Sequence, residues 1–342
     1  MFLSKDSRSG IYYVWYKNEL GKRQRVSTRS RKKTEAIRFL QSFKSKDHER
    51  TQKAKRTLLT DYMNDFFQYA NNCLSSGTVT LYKVALKNFL RLIGNLPLMA
   101  YTPLHFDTYK NERLKTIKPV TVNIELRTLK AFFNTAVRWN LIEKNPCQTK
   151  LVKVPERLPT YLTKEDLTKL ISVIKENWLK EIIIFAVSTG LRRSEIVNLK
   201  WHQVDLERKL IRIESNPTFY TKTGKMRILP LNDTALYILH FKNSNSKQSE
   251  YVFSLNGKKI FANWITHLFK HYVKLSNINQ DIHFHSLRHT FASWLAQDGT
   301  SLYVIKNLLG HADIKTTQIY SHLQPENLHN EVNRINLGFA YA

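Results

Sequence analysis

Acidic side chains are the scarce class in this 342-residue chain: 27 Asp and Glu face 54 Lys and Arg, for a net charge of +27. Cysteine is scarcer still. The two present, Cys73 and Cys147, stand far apart and outside any Cys-x-x-Cys pattern, which argues against a disulfide framework and reads as buried thiols of a reducing compartment. Long apolar runs are missing. The longest aliphatic stretch, around Ile182–Val187, falls far short of the ~20 residues that span a bilayer. The N-terminal segment Met1–Gly10 is polar and lacks the apolar core of a secretory signal. None of the ten glycines forms a Walker-type phosphate loop, and there is no repeat or low-complexity tract. Together these absences predict a cytoplasmic protein with no membrane partner.

What is present is cationic charge on an otherwise ordinary globular composition, 42% hydrophobic and 24% charged. A surplus of this size attracts polyanions, nucleic acid foremost, although basic scaffold proteins share it. The length allows two or three domains.

The first segment, 1–54, is the most basic: residues 1–56 hold 17 Lys and Arg against 5 Asp and Glu. The β-prone run Ile11–Tyr16, a turn over 18–22 and a second strand over 23–28 predict a hairpin. It carries Lys22, Arg23 and Arg25 and is backed by a helix whose cap is Thr34. Such a sheet either enters a DNA groove or is simply a solvated basic surface. Residues 53–60 read as a linker. From 58 to 147 the periodicity predicts four or five short helices, broken at Ser75-Ser76-Gly77, at 94–97 and at Lys118-Pro119. Leu81, Ala85, Phe89 and Leu92 form one apolar stripe there, and Ile124, Leu126, Leu129, Phe133 and Val137 another. Lys83, Lys87 and Arg127 on the polar faces are candidate phosphate contacts. Pro155 and Pro159 mark a second linker. A third segment, 158–335, opens with Thr163 capping a helix, Asp166 standing three residues on. It is helical apart from a strand-rich patch over 206–231. The fold class expected is mainly α with a small β component: a small sheet plus helix, a helical bundle and a mixed α/β domain.

Five signals in the last segment carry chemistry. In Thr189-Gly190-Leu191-Arg192-Arg193-Ser194-Glu195, Gly190 allows a tight turn and Arg192 stands one helical turn from Glu195. That pair is either a structural ion pair or a guanidinium oriented to grip a phosphate. In Tyr220–Pro230, Thr223-Gly224 is a hairpin turn that places Lys222 at a strand tip, with Lys225 across the turn. A tip lysine is ordinarily solvated, but it suits a proton donor to a leaving oxygen. In His285-Ser286-Leu287-Arg288-His289-Thr290, His285 and Arg288 share a helical face, and a cation beside an imidazole suits a phosphate transition state. His289 reads as a packed core histidine. In Leu308-Leu309-Gly310-His311, Gly310 ends a helix and projects His311. Last comes Tyr320, nine residues after His311. Alone it would be core filler; after the four preceding signals it reads as a nucleophile.

In this order and spacing, Arg192, Lys222, His285, Arg288, His311 and Tyr320 resemble the tyrosine recombinases of the phage integrase family. The segment 58–147 resembles the family's core-site binding domain, and 1–54 more loosely its arm-site binding domain. The resemblance implies a site-specific recombinase that cleaves and rejoins DNA through a 3′-phosphotyrosyl link at Tyr320, serving integration or excision of a phage or mobile element. Arg192 and Arg288 would bind the non-bridging oxygens, Lys222 would protonate the leaving 5′-oxygen, His285 would help take the tyrosine proton, and His311 would hydrogen-bond the phosphate. Glu195 holds a supporting position. Neither metal nor other cofactor is implied. The partners are double-stranded DNA, a homotetramer in the synapse and DNA-bending accessory proteins, with a nucleoid-associated location. Alternatives are a type IB topoisomerase-like nicking-closing enzyme, a DNA-end resolvase, or a non-catalytic DNA-binding regulator. The tail, with Leu323, Leu328, Val332 and Ile335 at helical intervals, would pack either in cis or on a neighbouring subunit.

Overall fold

The computed structural model describes residues 1–17, 23–155, 158–214, 226–245 and 249–324; at 17, 45–56 and 245 it describes backbone alone. The chain divides into two compact units, Met1–Glu156 and Arg157–Ala342. The described part is mostly helical with three small antiparallel sheets. No described helix is long and apolar enough to cross a membrane.

In the first unit, β1 (Phe2–Lys5), β2 (Tyr12–Lys17) and β3 (Arg23–Ser27) pair antiparallel in that order. The register sets Trp15 between Phe2 and Arg25, and Tyr13 between Ser4 and Ser27. Alternation sends Val14 inward, where it and Ala36 are fully buried, while Tyr13 and Trp15 share the other face with Arg25. The Arg25 guanidinium lies 4.7 Å from the Tyr13 ring centroid and 5.8 Å from that of Trp15. The strand β1 is an addition to the expected hairpin, since four residues are too few to show alternation. Arg23 and Arg25 are exposed; Lys22 and the expected turn lie outside the described residues.

The helix α1 (Lys33–Arg56) starts ahead of Thr34, which therefore sits inside its first turn and does not cap it. It continues through the stretch expected as a linker, because Gln52–Arg56 contains good helix formers and no Gly or Pro. After it come α2 (Leu59–Cys73), α3 (Ser76–Ile93), α4 (Pro103–Leu114) and α5 (Pro119–Arg138). The Ser75 hydroxyl accepts from the Thr78 N–H to cap α3, Gly94 ends it at φ 95°, and Pro119 opens α5. The bundle core is aromatic: Tyr62, Phe66, Phe89, Phe106, Phe132 and Phe133 are fully buried. Ala85, Phe89, Leu126, Leu129 and Phe133 face this core, but Leu81 and Ile124 are 50% and 39% exposed, so each expected stripe is narrower than its sequence pattern. Lys83, Lys87 and Arg127 are exposed. Both cysteines are free; Cys147 is buried and Cys73 exposed, contrary to the expectation that both are buried.

One buried polar network ties three of these helices. Glu125 on α5 accepts from Arg113 Nε at 2.8 Å and Nη2 at 2.7 Å, Tyr109 Oη at 2.8 Å and Asn88 Nδ2 at 3.1 Å. The carboxylate is thereby paired on all sides, which buried charge requires.

The second unit begins with α6 (Lys164–Val173), whose Thr163–Asp166 capping box is present as expected. Then follow α7 (Asn177–Thr189), α8 (Arg193–Val197) and the sheet β4 (Val204–Asp205), β5 (Leu210–Ile213) and β6 (Arg227–Pro230). The β5–β6 register pairs Ile211 with Leu229 and Ile213 with Arg227. The expected Thr223-Gly224 turn, with Lys222 and Lys225, lies outside the described residues. Beyond α9 (Asp233–Asn245) comes a short hairpin absent from the sequence reading, β7 (Ser254–Leu255) and β8 (Lys258–Lys259). Its Asn256-Gly257 turn has φ of 51° and 73°, the positive values that a two-residue hairpin turn demands. The described chain closes with α10 (Ala262–Leu275), α11 (Ser286–Gln297), α12 (Leu302–Leu309) and two 3₁₀ turns, Ile314–Thr316 and Gln318–Leu323. Leu179, Ile182, Ile183, Phe185, Phe269 and Leu287 belong to the main core. Tyr320 sits in a smaller cluster with Ala292, Ala296, Ile305 and Leu309. Leu328, Val332 and Ile335 lie outside the described residues.

Glu125→Ala is expected to lower stability by about 3–5 kcal/mol, because Arg113 is left as a buried unpaired charge. Urea unfolding followed through Trp139 measures this; a loss below about 1 kcal/mol would show the network to be energetically idle.

Candidate active site

Two helices end in glycines with left-handed backbone, Gly190 after α7 at φ 63° and Gly310 after α12 at φ 66°. Their last carbonyls carry the negative ends of both helix dipoles. Arg288, in the first turn of α11 and 3% exposed, is seated between them. Its Nη1 donates to Gly190 O at 2.8 Å and its Nη2 to Leu309 O at 2.6 Å. Burial lowers its pKa to about 9, with the Arg192 charge adding to the effect and Glu195 opposing it. The group remains a cation at neutral pH. Both glycines are also needed for space: a methyl group on Gly190 would stand 2.4 Å from Phe291 Cδ1, and one on Gly310 2.6 Å from Arg227 Cδ.

Arg192 is the N-cap residue of α8. Its Nη1 donates to Glu195 Oε1 at 2.9 Å, and its backbone N–H to Oε2 at 2.8 Å. Arg227, reaching in from β6, donates to the same two oxygens through Nη1 at 2.9 Å and Nη2 at 2.8 Å. Burial opposes ionisation of Glu195, but the bonds and charge of Arg227, then those of Arg192, hold its pKa down to about 2. One carboxylate thus orients two guanidinium groups. Arg193 turns elsewhere, donating to Thr266 on α10.

Tyr320 is 1% exposed. Its hydroxyl meets Nδ1 of His289 at 2.6 Å. Burial pushes the phenol up to about 12, partly offset by Arg288. His289 is held down at about 4 by burial and then by His285, His283 and Arg288. His285, the exposed N-cap residue of α11, has its ring 5.1 Å from that of His289, almost perpendicular to it. His311 Nδ1 shares a hydrogen bond with Thr317 Oγ1 at 2.9 Å. Burial and then the charges of Arg288 and Arg192 bring its pKa to about 4. The arrangement is a set of fixed cations and neutral imidazoles around a neutral phenol, chemistry suited to a tetrahedral oxyanion.

The structure therefore brings Arg192, Glu195, His285, Arg288, His311 and Tyr320 into one site. Lys222 falls outside the described residues. Two members escape the sequence reading. Arg227 lies within the quoted hairpin segment, but its place depends on strand register and on Gly310, far along the chain. His289, read as core packing, contacts the tyrosine hydroxyl; its spacing of four from His285 on α11 is the signal that could have found it.

Residues 160–327 match the phage integrase family, and residues 55–152 match the phage integrase N-terminal domain. Among relatives, the tyrosine recombinase XerC of Thermodesulfovibrio yellowstonii is 32% identical over 272 residues, covering 74% of this chain and 88% of that one. The tyrosine recombinase XerA of Pyrococcus furiosus is 28% identical over 294 residues, covering 83% and 96%. The fold is similar to that of a lambda integrase dimer bound to a COC′ core site, with a TM-score of 0.67 at 20% identity, over 93% of this chain and 94% of that one.

Because Glu195 has a lowered pKa, its contribution to stability is full above its ordinary value of 4.5 and is lost as pH falls toward about 2. Glu195→Gln is expected to cost about 3 kcal/mol at pH 7. In denaturant unfolding the gap from the wild type should narrow as pH drops below 5, whereas a gap independent of pH would contradict the ionised triad.

Proposed function

The chain belongs to the phage integrase family of tyrosine recombinases, and from that premise we propose how its own residues break and rejoin DNA. The observation that carries the reading is the meeting of the Arg192 and Arg288 turns with the turn that bears Tyr320. A bound phosphodiester would lie with its non-bridging oxygens against Arg192 and Arg288, whose positions are set by Glu195 and by two helix ends. These cations offset charge that builds up in the five-coordinate transition state. His311 adds a hydrogen bond to the same oxygens.

Tyr320 Oη forms a bond to phosphorus while the bond from phosphorus to the 5′-oxygen breaks. The phenolic proton passes to the imidazole side of the site, where His285 takes part, and Lys222 supplies a proton to the departing 5′-oxygen. The product is a 3′-phosphotyrosyl link and a free 5′-hydroxyl. One ester replaces another, so the reverse attack by a 5′-hydroxyl rejoins the strand without ATP.

The work proposed for the protein is integration or excision of a phage or mobile element, carried out in the cytoplasm on nucleoid DNA. Exposed Lys83, Lys87 and Arg127 support a core-site grip by 58–147. Arg23 and Arg25 on the basic sheet, with Lys22 beyond the described residues, support a second, arm-type contact by 1–54. The catalytic segment is 158–335. Exchange of four strands calls for a homotetramer, aided by DNA-bending partners.

Tyr320→Phe is expected to bind a nicked suicide duplex within about 3-fold of the wild-type affinity, removing only one hydroxyl, and to form no covalent adduct. An adduct surviving in this variant, read on a denaturing gel, would overturn the assignment of the nucleophile.

A further inference from the structure

Among the described residues, the Gln318–Leu323 helix and the two residues that flank it are tied to the rest of the unit by Tyr320 Oη to His289 Nδ1 at 2.6 Å, Thr317 Oγ1 to His311 Nδ1 at 2.9 Å, and Gln324 Nε2 to Thr300 O at 2.9 Å. The first of these touches the atom that reacts. On α11, His285, His289, Ala292 and Ala296 follow one another at spacings of four, three and four, which puts them along one face. Two imidazoles thus precede two alanines on that face. Ala292 and Ala296 are fully buried with Tyr320 in one cluster, and their small side chains leave the ring room to lie against the helix.

We propose that His289 is a positioning residue for Tyr320, its Nδ1 accepting the phenolic hydrogen bond so that the oxygen is held at a fixed point and its lone pairs are turned away from α11, toward the incoming phosphorus. This rests on Tyr320 being the nucleophile. The direction of the bond follows from the two groups: a neutral imidazole with its proton on Nε2 offers Nδ1 as an acceptor, and the buried phenol keeps its hydrogen. Around His289 stand His283 and His285 ahead of it, Arg288 beside it on α11, and Tyr320 from the facing turn. His289 acts through Tyr320 and does not bind the phosphate.

The test compares three variants in single-turnover cleavage of a nicked suicide duplex, with DNA affinity measured in parallel and the wild-type adduct mapped to its tyrosine. His289→Ala removes the acceptor and is expected to slow cleavage about 10- to 100-fold, the scale of a misplaced reacting atom, with affinity changed less than about 3-fold. His289→Asn places an amide oxygen near the Nδ1 position and should recover cleavage to within about 5-fold of wild type. His289→Gln carries its oxygen past that position and should fall near the alanine level, which tests the geometry even where alanine weakens folding. Wild-type rates in His289→Ala would overturn the proposal alone. So would Asn and Gln behaving alike, or Asn as slow as Ala, since the ring would then serve as an acid or base. An adduct on a tyrosine other than Tyr320 in the wild type would overturn the nucleophile assignment and this proposal with it.

Discussion

Everything in the second unit's site hangs on where the Arg288 guanidinium is buried. Removing a charge from water costs several kcal/mol, and the chain offsets that cost with two carbonyls at the ends of α7 and α12, both aligned with helix dipoles. Each bond also has a geometric effect. The bond to Gly190 fixes the turn that leads into Arg192, and the bond to Leu309 fixes the turn that leads into His311. A lysine would do this less well, because a flexible ammonium lacks the rigid planar fork that presents fixed donors to two set acceptors. The same side chain that would receive a phosphate therefore also assembles the turns around it.

The Glu195 triad complements this from the opposite side. Three guanidinium groups stand against one carboxylate, so the site retains an excess of positive charge. Burial is the main reason that His289 and His311 stay neutral; charged neighbours add to it, His285 and His283 before Arg288 at His289, and Arg288 and Arg192 at His311. Neutral rings can accept hydrogen bonds, which protonated ones cannot. Burial, reinforced by the charges around it, thereby leaves the His289 ring able to accept from the tyrosine hydroxyl.

Much of this layout was legible in the chain because its members sit at punctuated turns. Gly190 and Gly310 are needed for positive φ, and they stand two residues ahead of Arg192 and one ahead of His311. The helical bundle was legible for the same reason, through Ser75, Gly94 and Pro119. What remained hidden depends on tertiary register. Arg227 enters the site only because β6 pairs with β5 and Gly310 leaves room for its stem. Histidine at 289 looks the same in sequence whether it packs a core or faces a phenol. The strand β1 is too short for its alternation to be counted, and β7–β8 carried an Asn-Gly signal lost among helical neighbours. Leu81 and Ile124 show the converse error, since apolar residues at helical spacing are not all buried.

The Gln318–Leu323 segment is a six-residue 3₁₀ helix that carries Tyr320 into a small buried cluster, whereas Arg192 caps α8, Arg288 lies in the first turn of α11 and Arg227 comes from β6. The division of labour has a protective side. A cell is crowded with phosphodiesters, and a nucleophilic tyrosine that is neutral and buried, as Tyr320 is here, would spare them from chance attack. On the proposed reading, reactivity would be conferred by the substrate, whose negative charge the arginines are placed to meet.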